Sequence, residues 1–342
     1  MTFVRRLDII IYYLLLAYAL VSGISRGGVN TTIIALTLVS IIRYVCEPFP
    51  IKIDKTITRG MLVFLGTLIL SSVFSTSIVV SIEFLAFTIL KIIPFFIVVS
   101  FVKSEEMIKK IIWLMAASLL LGSLVGIWQG LHGAVRAKSF LGIMDFAGVI
   151  GLIFPILFVQ IFEYKGKKVW ENVFFMAIAI VAVIALIFNG TRSIWISVLI
   201  TMMLYTIINS MRNKKIILVF SIVLMTVIGV GLTNPYISQR AHSIFDTKTN
   251  LSNIQRINMW KYGWGIFLEH PVLGVGLGCL PHGGNLENPV ENPMIGTIKG
   301  DHIHNNFLQM LAENGIIGFI GFCYLFGSIL YSSWKKIHYE KT

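Results

Sequence analysis

Near the end of the chain a histidine stands in a polar stretch that is followed by regularly placed glycines. Residues 301–306 read DHIHNN, and from His304 the pattern is H-N-x9-G-x-x-G, with its glycines at Gly315 and Gly318. The ordinary pKa of histidine is about 6.5, so a histidine can be neutral near neutral pH and accept a proton. His304 is therefore a candidate for proton transfer, and Asn305 is a candidate for orienting the loop or binding a hydroxyl group.

Three basic residues, Arg192, Arg256 and Lys91, stand where they could bind a phosphate group, and Arg136 is a candidate for headgroup or glycan contacts. Arg192 and Arg136 lie in short polar turns, Arg256 lies four residues before Trp260, and Lys91 lies inside an apolar run. Arginine binds phosphate oxygens through its planar fork and stays charged when it loses water. A lysine within an apolar span usually faces a partner or a wet cavity. Contacts with lipid headgroups, or a lysine side chain that reaches towards the membrane surface, would also explain these positions.

Two other kinds of site can be weighed against this pattern. His302 and His304, together with His282, could be taken for a metal cluster, but the chain has no HExxH, no CxxC and no dense carboxylate set. Residues 274–278 read GVGLG, which is only a fragment of a dinucleotide-binding loop, without its full spacing or a βαβ context. We expect neither a metal nor a cofactor, and we expect these glycines to shape a tight turn.

The composition decides the class of protein that must position these residues. Of the 342 residues, 56% are hydrophobic and only 13% are charged, about half the charged fraction of a soluble domain. This excludes an ordinary cytosolic enzyme, a disordered chain and a nucleic-acid-binding protein. Only three cysteines are present, which excludes a disulfide scaffold. The long apolar runs predict an all-α polytopic membrane protein.

Ten apolar runs are candidates for transmembrane helices, since about 20 apolar residues cross a bilayer. The first resembles a signal peptide, with Arg5 and Arg6 ahead of it, but we expect it to be a retained helix. Lys91 would lie about eight residues into its span, roughly 12 Å along the helix. The runs are near residues 9–24, 31–46, 61–80, 83–102, 111–128, 144–163, 172–188, 193–210, 215–233 and 315–334.

The distribution of basic residues predicts the orientation. Most lysines and arginines fall in alternate connections, and the positive-inside rule then places both termini in the cytoplasm. The chain would divide into helices 1–9 (residues 1–233), a long extracytoplasmic loop (234–314), and a last helix with a cytoplasmic tail (315–342). Apolar residues at helical spacing over 254–269 predict an amphipathic helix within the loop.

The order of these motifs resembles that of a known family. The N-G-T-R-S turn at 189–193, Arg256-x-x-x-Trp260, the segment HPVLGVG at 270–276 and H-N-x9-G-x-x-G are similar to motifs of the O-antigen ligase/polymerase superfamily. Members of that superfamily are membrane glycosyltransferases. The motifs cover about residues 185–320, and the pattern of apolar runs extends the resemblance to the rest.

The resemblance implies a GT-C-like enzyme in the bacterial cytoplasmic membrane, with its active site on the extracytoplasmic face. The donor would be a glycan linked to undecaprenyl diphosphate, and the acceptor a hydroxyl group of a glycan, lipid or protein. His304 would match the catalytic histidine, and Arg192, Arg256 and Lys91 would bind the diphosphate without a metal. Asn305, Arg136, His302 and Trp260 are further candidates for substrate contacts.

Two alternatives remain open beside a ligase. A polymerase would use the same chemistry to extend a lipid-linked glycan. A transporter or flippase would use the basic residues to hold an anionic solute or lipid, although no internal repeat typical of transporters is visible in the sequence. Substitution of His304 separates these classes, because only an enzyme would lose transfer while still binding the donor.

Overall fold

The apolar runs fold as helices, several of which begin at a short polar side chain. The side chains of Ser25, Asp54 and Ser104 accept hydrogen bonds from backbone N–H groups in the first turn of the helix that follows. Such caps satisfy N–H groups that have no partner within the helix. Polar residues in front of apolar runs thus fix where these helices start.

The computed structural model describes residues 3–49, 53–163, 168–210, 214–233, 238–239, 243, 246–280 and 302–339. Within these ranges the regular structure is entirely α-helical, which confirms the predicted all-α fold. The helices are α1 (Phe3–Val21), α2 (Arg26–Cys46), α3 (Lys55–Val73), α4 (Ile78–Phe101), α5 (Glu105–Leu131), α6 (Ile143–Glu163), α7 (Val169–Asn189), α8 (Arg192–Asn209), α9 (Lys215–Thr233), α10 (Leu251–Glu269) and α11 (Asn306–Tyr339).

The protein is a polytopic membrane protein. Among the described residues, eight helices are long and apolar enough to cross a bilayer, namely α2 to α8 and α11. The other two predicted spans also form helices: α1 carries Arg5, Arg6 and Asp8 near its start, and α9 is apolar over Lys215–Met225. Helix α10, inside the predicted extracytoplasmic loop, is not among the candidate spans.

The boundaries of α3 and α4 differ from the predicted spans at 61–80 and 83–102. Helix α3 starts six residues earlier because the carboxylate of Asp54 accepts the N–H of Thr56 at 2.8 Å. The turn between the helices lies at 74–77, where the N–H of Thr76 donates to the carbonyl of Val275 at 2.9 Å. Ser81, which reads as a turn residue in the sequence, is buried in α4 and donates to the carbonyl of Leu277.

The last helix also starts earlier than predicted, at Asn306 instead of 315. The side-chain oxygen of Asn305 accepts the N–H groups of Phe307 at 3.0 Å and Leu308 at 3.3 Å, so Asn305 caps the helix. Gly315 interrupts the helical geometry with φ 61°, and α11 is therefore two helical segments joined at a kink. Gly315, which the sequence placed at the start of the span, lies at this kink.

The chain forms two compact units, Met1–Phe49 with Ser100–Phe245, and Pro50–Val99 with Asp246–Thr342. The core of the first unit lies among α5, α6 and α7, with Phe146, Phe154, Phe158 and Phe175 fully buried. In the second unit α11 packs along α3 and against α10. Arg192 belongs to the first unit, whereas Lys91, Arg256 and His304 belong to the second.

Candidate active site

The segment that carries His304 is attached to α10 at one close contact. Ile303 is 3% exposed and packs on Gly263, where a Cβ atom would overlap the end of the Ile303 side chain. The apolar cluster around Ile303 includes Ile266, Val275 and Cys279. The absence of a side chain at Gly263 thus lets this segment lie directly on α10.

His304 has a backbone conformation that is unusual for a residue with a side chain. Its φ is 56°, in the left-handed region, and its backbone N–H donates to Nδ1 of His302 at 2.8 Å. The two imidazole rings lie 5.1 Å apart, centroid to centroid, at an angle of 67°. Both side chains are exposed, so the ring of His304 is accessible.

A second side chain fixes the same segment from α11. The Oε1 atom of Gln309 accepts the backbone N–H of Ile303 at 2.9 Å, and its Nε2 donates to the carboxylate of Glu313 at 2.5 Å. Glu313 is 5% exposed, and its backbone carbonyl accepts the N–H of Gly276 at 2.8 Å. The histidine segment is thereby connected through α11 to the turn at 271–280.

That turn depends on glycines, as the sequence predicted. Gly274, Gly276 and Gly278 all have positive φ. The requirement for glycine is strictest at Gly274, where a Cβ atom would collide with the backbone of Glu313. At the kink, Gly315 meets the carbonyl of Val272 in the same way, so the turn and α11 approach each other backbone to backbone.

Arg256 lies close enough to His304 for its positive charge to act on the imidazole. On α10, Arg256, Trp260 and Gly263 recur at a spacing of four and three residues and therefore share one face. Partial desolvation, followed by the field of His302 and that of Arg256, lowers the pKa of His304 below its ordinary 6.5. The imidazole is therefore neutral near neutral pH, which is the form that accepts a proton.

In the other unit, Arg192 is the first residue of α8 and is 7% exposed. Its Nη1 donates to the carbonyl of Ser243 at 2.5 Å and to the Ser243 hydroxyl at 2.8 Å. Arg136 holds the turn in front of it: Nε donates to the carbonyl of Asn189 at 3.0 Å and Nη2 to the hydroxyl of Thr191 at 2.9 Å. The guanidinium of Arg136 thus braces the turn before Arg192.

Comparison with known families gives a match over part of the chain. Residues 177–323 match the family described as O-antigen ligase, and this range includes Arg192, Arg256 and His304. This match supports a membrane protein of the O-antigen ligase/polymerase family. No curated protein matches the chain. The match points to a glycosyl-transferring enzyme and confirms the resemblance found in the sequence.

Of the residues predicted for this O-antigen ligase-like site, the structure brings His302, His304 and Arg256 together. Trp260 lies on the same face of α10 as Arg256 and is 39% exposed. Asn305 uses its side-chain oxygen as a helix cap. His282 lies outside the described residues, and within the described part of the chain no group of three or more His, Cys, Asp or Glu is arranged to hold a metal ion.

The structure does not place Lys91 beside His304. Lys91 lies thirteen residues after Ile78, roughly 20 Å along α4, so it is deeper than the sequence suggested. It lines a cavity of about 470 Å³ together with residues that include Met61 of α3 and Ile329 of α11. Ile329 lies in the part of α11 beyond the kink, away from His304. The predicted role of Lys91 in diphosphate binding stays a prediction.

Sequence reasoning missed Gly263, Ile303 and Gln309, which fix the histidine segment. Gln309 and Glu313 are four residues apart, a spacing at which two side chains meet on one face of a helix. That signal was present in the sequence. No comparable signal relates Gly263 to Ile303, since 40 residues separate them and no local spacing rule reaches that far.

Proposed function

We propose that the protein transfers a glycan from undecaprenyl diphosphate to an acceptor hydroxyl, with His304 as the general base. The observation that carries the proposal is the pairing of an accessible histidine of lowered pKa with Arg256, in a chain of the O-antigen ligase family. The family match supports a lipid-linked glycan as donor, transfer of the glycan to an acceptor, and a reaction at the membrane.

In the proposed reaction, neutral His304 takes the proton of the acceptor hydroxyl while that oxygen attacks the anomeric carbon. The bond from this carbon to the diphosphate oxygen breaks, and undecaprenyl diphosphate leaves with its extra negative charge. Attack opposite to the leaving group inverts the anomeric centre. Arg256 stabilises the charge on the diphosphate by bidentate hydrogen bonds that strengthen as the bond breaks.

We propose phosphate binding for Arg192 as well, on separate grounds. Its guanidinium is nearly buried at the first residue of α8, where helix N–H groups also favour an anion. The brace from Arg136 supports a positioning role for that residue. The distribution of basic residues along the chain supports cytoplasmic termini and an outer-face location for His304, in the bacterial inner membrane.

The test is transfer by purified full-length protein in detergent, with a short undecaprenyl-diphosphate glycan and EDTA. His304→Ala should lower kcat about 100-fold or more, the usual contribution of a general base. Arg256→Gln should raise the KM for the donor and lower kcat. Lys261→Gln, which changes a basic residue elsewhere on α10, serves as the matched control and should retain full activity. Lys91→Met tests whether that lysine contributes.

Separate acceptors distinguish the two family activities. Product only with a lipid-linked repeat unit identifies a polymerase, whereas product with another glycan, a lipid or a protein identifies a ligase. Full transfer by His304→Ala would refute the proposed base, and loss of transfer in EDTA would refute the metal-independent reaction. Tight donor binding without transfer to any acceptor would instead favour a transporter.

A further inference from the structure

The side chain of His302 is exposed, but one of its ring nitrogens is directed at the backbone. Its Nδ1 accepts the N–H of His304 at 2.8 Å, next to the residue whose φ is 56°. We propose that His302 is a positioning residue for His304: it holds the left-handed backbone that aims the catalytic imidazole. This inference rests on the proposed function, because it assigns His302 to the same reaction.

The backbone of His304 requires such support. Left-handed backbone costs a residue with a Cβ atom free energy relative to its ordinary conformations, and it persists where neighbouring contacts determine it. At His304 that contact is the hydrogen bond to His302. Without it, the segment can relax to another φ, and the direction of the His304 side chain changes with it.

The preceding amide is held in a similar manner. Gln309 accepts the N–H of Ile303, while the Ile303 side chain is buried against Gly263. Two successive N–H groups are therefore bound by two different side chains. Gln309 and Ile303 fix the segment to α11 and α10, and His302 determines the local conformation of His304 itself.

The hydrogen bond also fixes the tautomer of His302. A ring nitrogen that accepts an N–H cannot carry a proton, so neutral His302 has its proton on Nε2. The role assigned to His302 therefore needs only an acceptor atom at the Nδ1 position. An asparagine offers such an acceptor at the same number of bonds from the backbone, whereas the oxygen of glutamine lies one bond further out.

This difference gives a matched pair of variants, His302→Asn and His302→Gln. We expect His302→Asn to keep kcat within about threefold of wild type, since its side-chain oxygen replaces the acceptor. His302→Gln should lose about 30-fold in kcat, from one hydrogen bond and the left-handed conformation that it supports. The KM for the donor should change little in both, because His302 is not proposed to contact the donor. Equal kcat values for the two variants would overturn the proposal.

A second measurement does not need activity. In protein labelled with nitrogen-15 at histidine, His302→Asn identifies the signals of His302, and a ring nitrogen without a proton resonates far from a protonated one. The proposal requires Nδ1 of His302 to be unprotonated at neutral pH, and a protonated Nδ1 would overturn it. If wild type transfers no glycan, the proposed function fails, and this spectrum still decides whether His302 accepts the His304 N–H.

Discussion

Gly263→Ala would test whether the contact between α10 and Ile303 positions the catalytic histidine. A Cβ atom at residue 263 would lie 3.2 Å from Cγ1 and 3.3 Å from Cγ2 of Ile303, and closer still to Cδ1. Carbon atoms pack at about 3.5–4.0 Å, so the end of Ile303 must move on the order of 1 Å. Ile303 is 3% exposed, and its surroundings leave little room for a side-chain rotation alone.

The expected magnitude follows from two opposing effects. Alanine in place of a helical glycine stabilises a helix by up to about 1 kcal/mol, whereas overpacking a core costs about 1–3 kcal/mol. The net loss of stability is thus about 0–2 kcal/mol, and the protein should still fold. A displacement of about 1 Å at the reacting group can cost about 100-fold in rate, so kcat should fall far more than stability.

Gly265→Ala is the matched control on the same helix. A Cβ atom there meets nothing within 4 Å, so this variant should keep its kcat and gain a little thermal stability. The double variant Gly263→Ala with Ile303→Val removes the Cδ1 atom and should recover most of the lost rate. Initial rates of glycan transfer and melting temperatures in detergent measure both effects. A wild-type kcat for Gly263→Ala, or no recovery in the double variant, would refute the reasoning.

Two further predictions concern the pH dependence and the start of α11. The pKa of His304 is lowered by partial desolvation and by the charges of His302 and Arg256. Because a general base acts in its neutral form, kcat/KM should begin to fall only below about pH 6.5. Arg256→Gln removes a positive charge that disfavours the imidazolium and should move this acidic limb to higher pH; a pH–rate profile with an unmoved limb contradicts this. Asn305→Ala removes a helix cap and should cost about 1 kcal/mol, whereas Asn305→Asp should keep the cap; equal melting temperatures for the two variants would contradict this role.

The helical fold could be predicted from apolar runs, because the length of a run and its lack of charge are local properties. The exact limits of α3 and α4 could not be predicted in this way. Ser81 lies in the break between the predicted spans 61–80 and 83–102, yet its hydroxyl is buried and donates to the carbonyl of Leu277 in the turn at 271–280. No local pattern in the sequence shows that this distant turn supplies a partner for Ser81.

The candidate site shows the same division between local and distant information. His304 and Arg256 stood out by residue type and spacing, and the family match covers both. Their proximity depends on Ile303 lying on Gly263, a contact between distant parts of the chain. Lys91 was placed from the limits of an apolar run, and the earlier start of α4 moves it along the helix.

The spacing of the histidine motif itself has a structural reason. Asn305 caps α11, and Gly315 interrupts it, so the nine residues between them form one helical segment of roughly 13 Å. Its end at Gly315 is fixed because the backbone of Val272 leaves no room for a side chain there. A helix turns by about 100° per residue, so a change of one residue in this segment would rotate His304 away from Arg256. The nine-residue spacing therefore relates the position of His304, at one end of the segment, to the backbone contact of Gly315 at the other end. This relation explains why Asn305 and Gly315 accompany the histidine although only the histidine is proposed to transfer a proton.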